Sequence, residues 1–292
     1  MSLVRLLDGA VGTLLEQRGY PGHPVLWTAE AAMTHPDMLR DIHLAYLDAG
    51  ADIITAHTFR TTAYAYHKAG RSDQEAHQAL DTAVSIAKQC IVQSERKVIL
   101  AGSLAPVEDC YRPDLVPDDN ALLKSHQLQI QWLKASGADL ILAETINTLQ
   151  EAEVILSCCI KANIPAWISL LPGPDSSFNE EEMLHEAIVK LWNLGASMVL
   201  LNCRPHTEMN DWLKVFSDAG KPWGIYANGP GAPDPACGWD NHDQEGIEGF
   251  VRSAMYWISQ GASVVGGCCG STPEMIRAIR QNLHINNTQE EF

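Results

Sequence analysis

The sequence predicts an α/β fold, a single (β/α)8 barrel of the TIM type. Three observations carry that prediction. Eight short apolar runs alternate with eight longer stretches of helical periodicity, four helices end in nearly the same phrase, and the residues able to do chemistry cluster where strands would end. A length of 292 residues suits one such barrel, and a hydrophobic share of 46% is enough for a substantial core. The barrel is assigned to residues 1–285, and residues 286–292 are read as a polar C-terminal tail.

The runs at residues 3–7, 52–56, 98–101, 140–143, 166–170, 198–201, 223–226 and 263–265 are rich in Val, Ile, Leu and Ala. Strands buried on both faces of a parallel sheet have that composition. Helical periodicity occupies 36–49, 73–94, 121–136, 150–162, 180–194, 208–219, 244–260 and 273–283. The joints Ala49-Gly50-Ala51-Asp52, Ser136-Gly137-Ala138-Asp139, Leu194-Gly195-Ala196-Ser197 and Gln260-Gly261-Ala262-Ser263 each place Gly after a last helical turn. Glycine takes the left-handed cap there without a Cβ penalty. Four such joints indicate one unit repeated, and strict alternation fits a closed barrel better than an open sheet. No G-x-G-x-x-G follows the first run, which disfavours a dinucleotide fold.

Thirty-six acidic residues against twenty basic ones give a formal charge of −16. Nucleic acid and anionic membrane both require concentrated Lys and Arg, so neither is expected as a partner. The N-terminus lacks the apolar core and cleavage site of a secretory signal, and no stretch approaches the roughly 20 apolar residues that span a bilayer. A cytoplasmic protein is expected, with apolar helix faces that allow a homo-oligomer. In a reducing compartment the eight cysteines are thiols, metal ligands or core filler.

A barrel of this kind does its chemistry at the C-terminal ends of its strands. Asp8 closes the first run, Glu144 the fourth, Asn202-Cys203 the sixth and Gly266-Gly267-Cys268-Cys269-Gly270 the eighth. Strands 4, 6 and 8 are alternate strands, whose inward side chains share a layer. Adjacent residues on a strand face opposite ways, so Cys268 and Cys269 grip one ion only if the backbone bends, which the flanking glycines permit. Cys203 would complete a three-thiolate set with one open position, pointing to catalytic zinc. Cys158-Cys159 is an internal control: also vicinal, but inside an apolar helix, where packing is the expected role. Cys90, Cys110 and Cys237 are single and carry no assigned function, although Cys237 stands where it could border the mouth. His206, three residues after Cys203, is read as a loop histidine and not as a ligand. His57 ends the second run and is open to either a pocket-lining or a hydrogen-bonding role.

Asp8-Gly9-Ala10, Gly102-Ser103, Glu144-Thr145, Asn202-Cys203, Asn228 and Gly-Gly-Cys-Cys-Gly, in that order between about Leu6 and Arg280, resemble the homocysteine S-methyltransferases. The resemblance implies zinc on Cys203, Cys268 and Cys269, with the homocysteine thiol as fourth ligand. It implies Asp8 and Glu144 at the substrate ammonium, backbone amides around Gly9-Ala10 at its carboxylate, and Asn228 in the same site. The partners implied are small molecules, homocysteine and an onium methyl donor of the S-methylmethionine, S-adenosylmethionine or betaine class. The sequence departs from the family pattern at His57 and Arg60, at Leu104-Ala105-Pro106, and in the Pro- and Gly-rich loop 229–235, which are expected to shape the far side of the pocket and leave the donor undetermined. Aromatic faces welcome a cation, and Trp27, Tyr64, Tyr226 and Trp239 stand in segments that could reach the mouth. Two other readings use the same cysteines: a non-catalytic zinc- or thiol-binding sensor, and a barrel whose cysteines merely pack. Asp8 and Glu144 favour a site built for an amino acid.

Overall fold

Each of the four Gly-Ala joints closes a helix in the same way. Gly50, Gly137, Gly195 and Gly261 have φ of 99°, 93°, 106° and 104°. The alanine after each donates its N–H back into the helix, as in Ala51 to Tyr46 O and Ala138 to Leu133 O, both near 3 Å. The next residue donates to the neighbouring strand: Asp52 to Leu6 O, Asp139 to Leu100 O, Ser197 to Ala166 O and Ser263 to Trp223 O. Asp52 and Asp139 also accept the backbone N–H of Leu6 and Leu100 at 2.9 and 2.8 Å. A local cap thus hands the chain directly to its place in the sheet.

The computed structural model describes residues 4–217, 220–234, 237–240 and 244–289. Its strands are β1 (Arg5–Leu6), β2 (Ile53–Ala56), β3 (Ile99–Leu104), β4 (Leu140–Ile146), β5 (Ala166–Leu170), β6 (Met198–Pro205), β7 (Trp223–Asn228), β8 (Ala232–Asp234), β9 (Gly238–Asp240) and β10 (Val264–Gly267). β8 and β9 form a small antiparallel hairpin. The other eight are parallel, in the order β1-β10-β7-β6-β5-β4-β3-β2. A parallel bridge from Leu7 to Ile53 joins the ends of that series. The architecture is a (β/α)8 barrel, as the sequence predicts.

Of three apolar clusters among the described residues, the smallest, Leu26, Ala29, Ala65, Tyr66, Ala76 and Ala79, lies apart, and the other two divide the barrel. The larger lies between sheet and helices, and includes Leu15, Ile42, Leu80, Ile130, Ile155, Leu191 and Trp257. The second fills the barrel with Leu7, Ile53, Ala101, Leu142, Trp167, Leu200, Tyr226 and Val264. Strand side chains alternate faces, so the next inward position lies two residues further on. Two residues past Ile53, Ala101, Leu142, Trp167 and Leu200 stand Thr55, Ser103, Glu144, Ser169 and Asn202. The barrel therefore passes from an apolar plug to a polar layer within one repeat of the pleat.

Some elements differ from expectation. Residues 208–219 were expected to be α-helical, but Met209–Phe216 form a 3₁₀ helix, and residues 218–219 lie outside the described residues. Asn210 and Asp211 suit a helix interior poorly, and Asn210 Oδ1 instead accepts from Trp257 Nε1 at 2.8 Å. The last helix, Pro273–Gln289, runs beyond Leu283, where its apolar pattern stops. Short helices Gly12–Gln17, Ala31–Thr34 and Ala63–Lys68 occupy connections that had no assigned element.

Candidate active site

At the C-terminal ends of the strands lies a cavity of about 470 Å³. Asp8, Thr55, Ser103, Glu144, Cys203, Tyr226, Cys268 and Cys269 line its inner part, and Trp27, His57, Arg60, Tyr64, Lys68, Glu108, Cys110 and Tyr111 its rim.

The two residues that lead into it leave the regular ladder. β4 shifts register against β5 between Ala143 and Ile146, and β6 against β7 between Asn202 and Pro205. Inside those irregularities Thr145 and Cys203 have φ of 58° and 60°, a left-handed conformation uncommon without glycine. Asn202, the residue before Cys203, secures Thr145. Its Oδ1 accepts from Thr145 N at 3.1 Å and Ser169 Oγ at 2.8 Å, and its Nδ2 donates to Thr145 Oγ1 at 2.8 Å. The same Nδ2 lies 3.8 Å from Cys268 Sγ. The carboxamide thus satisfies a backbone N–H that the bulge removes from the ladder and reaches one sulfur of the cluster.

The third and fourth elements of the arrangement come from the eighth barrel strand. A Cβ on Gly267 would stand 2.1 Å from Ser271 Oγ, and one on Gly270, with φ +70°, 2.0 Å from Trp239 Nε1. Only glycine lets the chain turn there, and the turn brings two adjacent cysteines to one side. Ser271 Oγ donates to Cys268 O at 2.7 Å and accepts from Ala10 N at 3.0 Å. This ties the cysteine turn to the first strand end. Gly9 packs against the same serine and Tyr46 Oη, both under 3 Å from where its Cβ would be.

Cys203, Cys268 and Cys269 place their sulfurs within 4.8 Å of one another. Four ligands at about 2.3 Å in a tetrahedron stand about 3.8 Å apart, so the group fits a zinc-sized ion. Three thiolates so close cannot all ionise without a cation. Accordingly Cys203 is held well below the usual thiol range by hydrogen bonds from Cys268 and then Cys269, while those two are pushed up by the same contacts. Tyr111, though 42% exposed, turns its hydroxyl to Cys203, whose charge pushes the phenol up.

Two acids share the cavity, Asp8 buried and Glu144 half-buried. Asp8 accepts from Thr55 N at 2.8 Å and Thr55 Oγ1 at 2.7 Å, yet burial, aided by Glu144, raises it to about 8. Glu144 accepts a short bond from Ser103 Oγ, and burial raises it to about 7. Both are carboxyls poised for a cationic partner that would restore their charge.

His57 combines its two expected roles. It lines the cavity, with Nε2 3.0 Å from Thr28 O and 3.1 Å from Thr28 Oγ1, and burial lowers it to about 4. His206 stays out of the site; its Nδ1 is 3.0 Å from Ser253 Oγ and its ring meets Phe250 edge-on. Asn228 ends β7 outside the cavity lining, with a buried Oδ1 that has no hydrogen-bond partner among the described residues. The loop 229–235, so far as it lies within the described residues, packs behind the cysteines and does not line the cavity. Gly229 N donates to Cys269 O, and Pro230 O accepts from Trp239 Nε1. Trp239 and Cys237 are likewise outside the lining, whereas Trp27, Tyr64 and Tyr226 are in it.

Of the loop after β3, sequence reasoning singled out only its start, Leu104-Ala105-Pro106, and not residues 107–111. Glu108 holds it, accepting from Lys68 Nζ at 2.8 Å and from Tyr64 Oη, while its carbonyl accepts from Arg60 at 3.0 Å. From the other side Asn147 donates to Asp109 O and Cys110 O, and Glu151 accepts from Val107 N. Cys110, unassigned as a single cysteine, is thereby buried in the cavity wall. The acids Glu108 and Asp109 before Cys110-Tyr111 gave no periodic signal.

Residues 5–283 match the model of the homocysteine S-methyltransferase family. The chain belongs to that family. It is accordingly an enzyme of the methyltransferase class, acting in methyl transfer to homocysteine. A selenocysteine Se-methyltransferase from Brassica oleracea var. italica is 28% identical to it, over 95% of this chain and 88% of the relative. Homocysteine S-methyltransferase 2 of Arabidopsis thaliana is also 28% identical, over 95% and 92%. Homocysteine S-methyltransferase YbgG of Bacillus subtilis is 27% identical, over 94% and 92%. Among solved structures, the metallated form of the homocysteine methyltransferase MmuM from Escherichia coli superposes with a TM-score of 0.82, at 22% identity, over 97% of this chain and 96% of that one. At that identity the likeness concerns the fold. Among the described residues no helix is long and apolar enough to cross a membrane.

Proposed function

We propose that this enzyme moves a methyl group from an onium donor to the thiol of L-homocysteine, giving methionine, with zinc held by Cys203, Cys268 and Cys269. The observation that carries the reading is the pairing of three converging sulfurs with the carboxyls of Asp8 and Glu144 in one cavity. Bound to the three sulfurs, zinc would supply the Lewis acidity that keeps a substrate thiol, whose free pKa is about 8.5, ionised at neutral pH.

The chain's own residues do the rest. Asp8 and Glu144 receive the substrate ammonium; the hydrogen bonds from Thr55 and Ser103 hold both carboxyls in place before it arrives. Ala10 N is occupied by Ser271, so the substrate carboxylate falls to the other amides beside Gly9. With the amino acid end fixed, the sulfur is presented at the cysteine cluster. The thiolate electron pair then forms the new S–CH₃ bond, while the donor's heteroatom–methyl bond breaks and leaves its pair on the departing sulfur or nitrogen. Alignment of this displacement can contribute roughly 7–11 kcal/mol.

The test is purified, zinc-loaded protein with homocysteine and S-methylmethionine, S-adenosylmethionine or betaine in turn, followed by methionine detection. Methionine from at least one donor is expected. Homocysteine binding without turnover under every donor would overturn the proposal in favour of a sensor.

A further inference from the structure

We propose that Arg60 recognises the methyl donor by binding the carboxylate that each onium compound of the proposed class carries beside its positive sulfur or nitrogen. The inference rests on the methyl-transfer reading above. The inner cavity is assigned to homocysteine, through the sulfurs on β6 and after β10 and the acids after β1 and on β4. What remains is the rim built by the connections after β1, β2 and β3, which carries Trp27, Arg60, Tyr64, Lys68 and Glu108.

The charges on that rim are unequal in availability. Lys68 and Glu108 face each other at 2.8 Å and largely cancel. His57 is buried and neutral in its Thr28 contacts. Arg60 is the remaining cation of the lining, and among the described residues it enters no ion pair within 4 Å. Its NH1 donates to Glu108 O at 3.0 Å, and its guanidinium rests 5.5 Å from the Phe59 ring centre. One carbonyl uses one of the five N–H donors, and the rest of the fork suits a carboxylate. Arg60 also lies near enough to Cys110 to lower its thiol against the upward push of burial, so it bears on the interior of the cavity.

A methyl donor of this chemistry brings a positive sulfur or nitrogen. A bare cation entering beside a guanidinium is repelled; a carboxylate on the same molecule converts that repulsion into a charge-assisted pair. The positive end then faces the rim's aromatic surfaces, such as Trp27, and the thiolate beyond.

The experiment compares S-methyl-L-methionine, S-adenosyl-L-methionine and glycine betaine with their carboxamides as donors to homocysteine, using zinc-loaded wild type, Arg60→Gln and Arg60→Lys. For whichever donor serves, the carboxamide should lower wild-type kcat/KM roughly 10–100-fold, the range of one charge-assisted bond. Arg60→Gln should raise the donor KM by a similar factor and erase the discrimination. It should leave homocysteine KM and Tm close to wild type, and Arg60→Lys should recover part of the loss. Equal use of acid and amide by wild type, or an Arg60→Gln defect in homocysteine KM instead of donor KM, overturns the assignment. No methionine from any donor overturns the methyl-transfer reading itself, and this inference with it.

Discussion

The chain contains two vicinal cysteine pairs, and only one has the makings of a metal site. Cys158 and Cys159 lie within the helix Leu149–Ala162, 4% and 0% exposed. Burial raises the Cys159 thiol to about 12, so it stays protonated and packs as a small hydrophobe. Cys268 and Cys269 leave a strand through a glycine turn, only partly buried, and meet Cys203 from two strands away. The composition of the two pairs is identical. What separates them is backbone: a helix points consecutive side chains about 100° apart into different neighbours, whereas a turn free of Cβ atoms folds both to one side. Chemistry then depends on what a distant segment brings to that side.

Substituting the sulfurs should sharpen that contrast most. Cys203→Ser is expected to abolish stoichiometric zinc and lower activity more than about 100-fold, beyond the 10–100-fold typical of residues that only support a ligand. Zinc retained at one equivalent per chain, measured by atomic emission, would separate Cys203 from the cluster.

The two cavity acids come next. Glu144→Gln or Asp8→Asn should raise homocysteine KM roughly 10–100-fold, the value of a charged hydrogen bond, with little change in donor KM. In the free protein Asp8 and Glu144 are raised to about 8 and about 7, so homocysteine KM should climb as pH falls through that range. Stability has the opposite sign. A carboxyl whose folded pKa lies above its unfolded value favours the fold while protonated, and that contribution is lost as pH rises from about 4 to about 8. Metal-free Asp8→Asn should therefore melt higher than wild type at pH 8.5, and the gap should close near pH 4. A constant gap across that range in calorimetric scans would contradict it.

Asn202→Ala removes the carboxamide that secures Thr145 and reaches Cys268. About tenfold weaker zinc binding is expected, at the low end of effects from groups that support a ligand, and competition with a chelator would measure it. The smallest effect belongs to the helical pair. Cys158→Ala and Cys159→Ala should leave kcat/KM and zinc content unchanged and cost about 1–2 kcal/mol of stability in urea titration. Loss of activity in folded Cys158→Ala would break the comparison at its other end.

The barrel was legible because its signals are local. Gly50, Gly137, Gly195 and Gly261 announce helix ends from sequence alone, and each has the left-handed φ that its position requires. The apolar runs indicate strands because both faces of a parallel sheet are buried. The site was legible in part, since Asp8, Glu144, Cys203, Cys268 and Cys269 fall at strand ends, where the fold gathers them in one cavity. Met209–Phe216 shows the limit: eight residues with an apolar moment suit an α-helix or a 3₁₀ helix alike, and the contact with Trp257 lies elsewhere in the chain. The loop holding Cys110 and Tyr111 was invisible for the same reason, because its anchors come from residues 60–68 and 147–151.

Periodicity, glycine caps and apolar content thus determined the repeat and the number of its units, since each depends on contacts within a few residues. Tertiary structure alone decided which side chains meet. The left-handed turn at Thr145, its bracing by Asn202 and the guanidinium of Arg60 on the Glu108 carbonyl at the cavity rim all arise where segments far apart in sequence come within hydrogen-bond reach. Such contacts depend on barrel closure, which brings β1 beside β10 and leaves no trace in any short window of residues.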